Sequence, residues 1–179
     1  MIRDKDNLIQ LNFIDKDSGK KLHYIRNLPE VISWCRQVKL IDDLQQEQWY
    51  ESQSKRDDIL MFSVEKEVGE SRKKLAGICG FTSIDMINRH AEFSLYIFPE
   101  YRLNGLAKKA LKLLFKHGFY DLNLRQIWGE TFENNPAYNL FKKLGMKDDG
   151  IRREFYYKNG KYLNAKMISI MKDEFNADN

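Results

Sequence analysis

Tyr96-Ile-Phe-Pro-Glu-Tyr-Arg-Leu-Asn-Gly-Leu-Ala107 runs from the end of a strand, through a short loop, into the start of a helix. Pro99 closes the strand, because proline cannot donate to a ladder. The helix begins at Asn104 or Gly105. Backbone N–H groups in the first turn of a helix have no partners within the helix, and together with the helix dipole they favour an anion. Gly105 removes a side chain where backbone and anion would meet. Ala107 is also small, Arg102 puts a fixed positive charge before the turn, and Lys108 and Lys109 add more. The segment reads as a pyrophosphate cradle. It is not a nucleotide P-loop, since no Gly-Lys-Ser/Thr is present. A plain loop whose glycine only permits a turn is the competing reading.

Upstream, Ala91 to Phe98 alternates as a strand, with Glu92, Ser94, Tyr96 and Phe98 on one face. Before it, Ile59–Glu65 and Leu75–Ile84 read as a hairpin around the charged turn Glu67–Lys74, and Leu8–Ile14 as a first strand. Between these, Ser18–Trp34 reads as helix interrupted by Pro29, and Ile41–Ser52 as a second helix opened by Asp42 and Asp43. Downstream, Asn104–Gly118 carries Leu106, Ala107, Ala110, Leu111 and Leu114 on one stripe, with Gly118 placed to end the helix. Gln126–Phe132 is a strand and Asn135–Leu144 a short helix with Pro136 in its first turn. Arg153–Lys158 and Tyr162–Met171 form a hairpin around Asn159-Gly160, a strong two-residue turn signal. The order predicts an α/β fold: a mixed sheet with parallel pairing at its centre and antiparallel hairpins outside.

The chain has 179 residues, 42% of them hydrophobic, which suits one domain over residues 1–175 with 176–179 as a frayed tail. A net charge of +4 is spread along the chain rather than gathered in a patch, so a nucleic-acid partner is not expected. Cys35 and Cys79 form no CxxC pair, and His23, His90 and His117 lack metal-site spacing, so no metal is predicted. The polar opening residues and short apolar runs predict no signal peptide, no membrane span and a cytoplasmic protein.

Arg102-x-x-Gly105-x-Ala107 resembles the acetyl-CoA signature of the Gcn5-related N-acetyltransferases (GNAT). Asn134-x-x-Ala137-x-x-x-Phe141-x-x-x-Gly145-Met146 resembles that family's second motif. The tail Arg153-Glu-Phe-Tyr-Tyr-Lys-Asn-Gly-Lys-Tyr162 is similar to the closing hairpin of its branch of ribosomal-protein N-terminal, spermidine and amino-sugar acetyltransferases. The resemblance is specific from His90 to Phe175. It implies a twisted sheet of about seven strands with helices on both faces. Its fourth and fifth strands would splay into a wedge that takes acetyl-CoA as co-substrate. Leu95, Tyr96 and Ile97 would meet the pantetheine arm. Arg102, Leu103, Asn104, Gly105, Leu106, Ala107 and Lys108 would meet the pyrophosphate. Asn134, Ala137, Phe141 and Lys143 would close the cofactor site from the other side.

Acetyl transfer needs a neutral amine, and an alkyl amine is mostly protonated at neutral pH, with a pKa near ~10.4. A base must take the proton. Glu92 is the candidate, with Glu130 second; a structural ion pair between Glu92 and Arg89 or Arg125 is the alternative. The family often has Tyr at the position of Phe141 to protonate the leaving thiolate. Tyr138, one turn back, is the candidate substitute, or else it packs on the core. The expected acceptor is a primary amine of a polyamine or amino sugar, or a protein N-terminus. Asp43, Glu47 and Glu51 form an acidic ridge that would suit a polycation, or else a solvated face. Arg152, Arg153, Lys158 and Lys161 would suit an anionic acceptor. A homo-oligomer is allowed, and the rival from another class is a non-catalytic acyl-CoA sensor.

Overall fold

The computed structural model describes residues 1–4, 8–53, 55–68 and 72–177. Its strands are β1 (Ile2–Arg3), β2 (Ile9–Phe13), β3 (Leu60–Glu67), β4 (Lys73–Asp85), β5 (His90–Ile97), β6 (Gln126–Phe132), β7 (Lys147–Lys158) and β8 (Lys161–Met171). Its helices are α1 (Lys16–Arg26), α2 (Pro29–Ile32), α3 (Asp43–Gln53), α4 (Leu106–Lys116) and α5 (Tyr138–Lys143). The strands make one sheet in the order β1-β2-β3-β4-β5-β6-β8-β7. As the element order predicted, it is mixed: β5 and β6 are parallel, and the other neighbours are antiparallel. The strand beyond the expected seven is the two-residue β1, which pairs with β2. Part of the turn predicted at 67–74, including Gly69, lies outside the described residues, as do the last two residues of the tail.

The apolar stripe of α4 lies on one face of the sheet. Leu106, Ala110, Leu111 and Leu114 are buried there with Phe62, Phe81, Phe93 and Ile127. The other face takes α1 and α2: Leu22 packs with Met61 and Ile78, and Ile25 and Val31 with Phe98. Strand alternation thus sends Glu92 and Tyr96 toward α1 and α2, and Phe93 toward α4.

Two local signals behave as their chemistry requires. Asp42 accepts the Gln45 N–H at 2.8 Å while Gln45 Oε1 accepts the Asp42 N–H at 3.2 Å, a reciprocal cap on α3. Asp15 caps α1 by accepting the Ser18 N–H at 2.7 Å. Asp15→Ala should therefore lower the unfolding free energy by about 1 kcal/mol in urea titration. No change would mean that α1 is held by packing alone.

Gly118 does not end its helix. α4 runs on into a π-helical turn, His117–Asp121, with Gly118 inside it. A Cβ at Gly118 would lie 2.7 Å from Phe81 Cζ and 3.0 Å from Ile127 Cδ1, so this glycine serves close helix–sheet packing rather than a left-handed cap. The predicted hairpin turn does form: Asn159 and Gly160 have φ of 50° and 77°, and Lys158 pairs with Lys161.

Candidate active site

β5 and β6 pair over three residues only, His90 with Gln126, Ala91 with Ile127 and Glu92 with Trp128. On its other edge β5 stays paired with β4 as far as Ile97. The two central strands therefore diverge beyond Glu92, and the β5 edge from Phe93 to Ile97 faces a gap. Gly129 sits where the gap opens, and a Cβ there would lie 2.3 Å from Phe93 Cε1. The Phe93 ring occupies that space and packs edge-on against Phe115 and Phe141, at 5.6 and 5.1 Å. The gap opens into a cavity of about 520 Å³ between β5, β6, α2 and α5.

Leu95, Tyr96 and Ile97 line this cavity, as do Arg102 and Ala107 at its mouth and Ala137 and Phe141 opposite. Arg102 folds back so that its Nε donates to the Ile97 carbonyl at 3.0 Å. Leu103, Asn104 and Gly105 form an exposed turn beyond it. Leu103 and Gly105 have φ of 64° and 80°, and a Cβ on Gly105 would meet no atom within 4 Å. Gly105 is thus the N-cap of α4 and leaves open space above the helix start. Asn104 Oδ1 accepts the Leu106 N–H at 3.2 Å. The Leu106 side chain is in the core, and its N–H already has Asn104 as acceptor. Lys108 is half-buried in the first turn. Open room, positive backbone and a nearby arginine fit a pyrophosphate.

Besides Leu103 to Leu106 and Lys108, which are off the lining, three more expected residues are not brought to the cavity. Asn134 is exposed and off the lining; its neighbour Asn135 lines the cavity instead, and accepts the Ala137 N–H at 2.9 Å. Lys143 is exposed at the end of α5. The Tyr138 hydroxyl donates to Asp148 at 2.8 Å, and Lys166 Nζ stands 4.0 Å from its ring centroid. Tyr138 therefore faces β7 and β8, off the cavity lining. His90 and His117 are near Asp85 and Asp121 and also lie off the lining, whereas Trp34 is on the wall.

Glu92 is on the lining and only 6% exposed. Its partner is neither Arg89 nor Arg125 but Arg36, whose Nη2 donates to Glu92 Oε1 at 2.6 Å. Thr82 Oγ1 donates to Oε2 at 3.4 Å. Burial pushes the Glu92 carboxyl above the ordinary carboxylate range, and Arg36 opposes that shift. Glu130, on β6, accepts from Arg152 Nη1 at 3.0 Å and from the Tyr156 hydroxyl. Burial, and then the bond to Glu130, push the Tyr156 phenol up.

Arg36 sits on the loop between α2 and α3, and that loop is pinned from the hairpin. Lys158 Nζ donates to the carbonyls of Ile32 and Cys35, and to that of Gln37 at 3.1 Å. Sequence reasoning placed Lys158 near an anionic acceptor; here it is spent on backbone carbonyls. The acidic ridge is likewise engaged: Glu47 pairs with Lys16 at 2.7 Å and Asp43 with His23 at 3.2 Å. Arg36 was missed as a partner of Glu92 because the two are 56 residues apart, and no spacing rule connects a loop arginine to a strand glutamate.

Residues 11–147 match the family described as Acetyltransferase (GNAT) domain. The chain is 35% identical to the spermidine N(1)-acetyltransferase of Escherichia coli (strain K12) over 104 residues, 58% of this chain and 56% of that protein. It thus spans just over half the length of that curated relative. It is 30% identical to the uncharacterized N-acetyltransferase p20 of Bacillus licheniformis over 77% of this chain and 71% of that protein. Among solved structures, that of spermidine N-acetyltransferase from Vibrio cholerae in complex with CoA and spermine superposes with a TM-score of 0.88. It is 24% identical and covers 96% of this chain and 99% of the other, which is a likeness of fold. With a family match across more than half its length, the wedge in its sheet and the glycine turn at the start of α4, this chain belongs to the GNAT acetyltransferase family.

Proposed function

We propose that this protein transfers the acetyl group of acetyl-CoA to a primary amine, on a small molecule such as a polyamine or amino sugar or at a protein N-terminus. The observation that carries the reading is the divergence of β5 and β6 after Glu92. One cavity thereby receives Arg102 and Ala107, from either side of the glycine turn, and a buried carboxylate. Acetyl-CoA supplies an activated thioester carbonyl. Backbone groups of Phe93 to Ile97 hold the pantetheine arm along the open β5 edge, and Arg102 with the turn to Lys108 holds the pyrophosphate. Glu92, directly or through water, accepts the proton of the incoming ammonium. The amine nitrogen bonds to the carbonyl carbon, the carbon–sulfur bond breaks, and the thiolate takes up a proton. The relatives named for spermidine make a polyamine the first acceptor to assay.

Phe141 has no proton to give, and the Tyr138 hydroxyl is committed to Asp148. Water protonates the thiolate in this reading. Tyr138→Phe should leave turnover within about twofold of wild type, whereas a positioned proton donor contributes about 10²–10⁴. A tenfold drop in thiol release would return Tyr138 to the acid role.

The deciding experiment is thiol release from acetyl-CoA across a panel of polyamines, amino sugars, amino acids and peptides. Steady release with at least one amine is expected. Saturable acetyl-CoA binding without release by any amine would favour the sensor reading, which the missing tyrosine hydroxyl at Phe141 motivates. Both Cys35 and Cys79 are free thiols, in keeping with a reducing cytoplasm. Phe155, Tyr157 and Tyr162 stand exposed on the hairpin, where a homo-oligomer contact would cover them.

A further inference from the structure

The acceptor side of the cavity presents guanidinium groups rather than available carboxylates. Glu92 is tied to Arg36, and Glu130 to Arg152 and Tyr156. The ridge on α3 that would suit a polycation pairs with α1 through Asp43 and Glu47. Glu30 is on the lining too, but at the exposed rim, where solvent and salt screen it.

The arginines, by contrast, keep capacity to spare. Arg36 uses Nη2 on Glu92 and also interacts with the Tyr156 hydroxyl, yet its side chain is half exposed on the cavity wall, and a guanidinium has five donors in a planar fork. Lys158 fixes the loop that carries it. Arg26 lines the same cavity, with its guanidinium carbon 5.7 Å from the Tyr96 ring centroid and its buried Nε without a hydrogen-bond partner. Two arginines, one pre-positioned beside the proposed base, match the geometry of a carboxylate or phosphate better than that of a second ammonium.

We infer that the acceptor amine carries an anionic group, a carboxylate or a phosphate close to the amine, and that Arg36, with Arg26 on the lining of the same cavity, is the residue that selects it. This rests on the acetyltransferase reading above and narrows its acceptor. The anion takes the free edge of Arg36, which places the amine next to Glu92 Oε1. A polyamine would instead bring positive charge against two arginines, with both buried carboxylates already paired.

The test is steady-state thiol release by the full chain with matched acceptors: ethanolamine against phosphoethanolamine, glucosamine against glucosamine 6-phosphate, amino-acid amides against free amino acids, and spermidine. For the wild type, kcat/KM should be at least about tenfold higher for the anionic member of one pair, and spermidine should be poorer than that member. Arg36→Gln should lower kcat/KM for the anionic member by about ten- to a hundredfold, mainly through KM, and for its neutral partner much less; Arg36→Lys should recover part of the loss. Any effect of Arg36 acting through Glu92 lowers both members alike, so the ratio within a pair is the readout. The pair that responds separates carboxylate from phosphate. Spermidine as the best wild-type acceptor, or an unchanged ratio in Arg36→Gln, overturns the inference. Acetyl-CoA binding with no thiol release from any amine removes the acetyltransferase reading and this inference with it.

Discussion

Gly105→Asp should cost this protein at least about a hundredfold in acetyl-CoA affinity, the loss expected when a pre-formed anion site acquires a like charge. Gly105 has a φ of 80° and caps α4 with open space where its side chain would be. If the turn is the proposed cradle, an aspartate there would fill the space that a pyrophosphate would take and set a carboxylate against it. The same change meets no atom within 4 Å of the added Cβ but strains the left-handed backbone at φ 80°, a cost that Asp carries better than most residues. Gly105→Asn separates the two effects: it keeps the shape and the backbone preference but adds no charge, so it should lose less affinity than Asp. Calorimetric titration with acetyl-CoA, alongside circular dichroism to confirm folding, checks both. Unchanged affinity in a folded Asp variant would mean that the turn at Arg102–Lys108 is not the cofactor cradle.

That turn was legible because every part of it is local. A proline ends β5, a glycine begins α4 and an arginine stands between them, all within a few residues. Alternation likewise gave the two faces of β5, and Asn159-Gly160 gave the last hairpin. What the sequence left hidden depends on contacts between distant elements. Glu92 could be proposed as a base from its strand position. Its partner Arg36 arrives from a loop shaped by Lys158 at the far end of the chain. Gly118 shows the same limit in the fold, because a glycine near a helix end has two explanations. Only the nearness of Phe81 and Ile127 shows that this one serves packing. Tyr138 was one turn from the expected position, yet the rotation of α5 turns its hydroxyl to Asp148. Spacing along a helix fixes relative directions among its own residues, but tertiary docking fixes what each direction meets.

Glu92→Gln should lower turnover by about 10²–10³, within the range for a positioned general base, while changing the KM for acetyl-CoA little. The amide has nearly the same shape and one oxygen that can still accept from Arg36, while its NH2 group faces Thr82 Oγ1, which can turn to accept, and the group loses its basicity. The pH dependence supplies the sharper test. Burial raises the Glu92 carboxyl above its ordinary value of 4.5, with Arg36 limiting the rise. The base form therefore appears only as pH climbs through that raised value. In the wild type, kcat/KM should fall on the acid side through an inflection above 4.5, and that inflection should vanish in Glu92→Gln. At high pH the acceptor loses its proton unaided, near the ~10.4 of an alkyl ammonium, so the deficit of the variant should shrink there. Linkage sets the accompanying change in stability. A carboxyl raised in the native state contributes stability that is present below its unfolded value and lost as pH rises through the native one. On that sign the ionisation of Glu92 adds no stability at neutral pH that the amide would lose, and circular dichroism of the variant checks that it is folded. Wild-type turnover in Glu92→Gln at neutral pH would leave Glu92 as the structural partner of Arg36 and move the search for the base to Glu130.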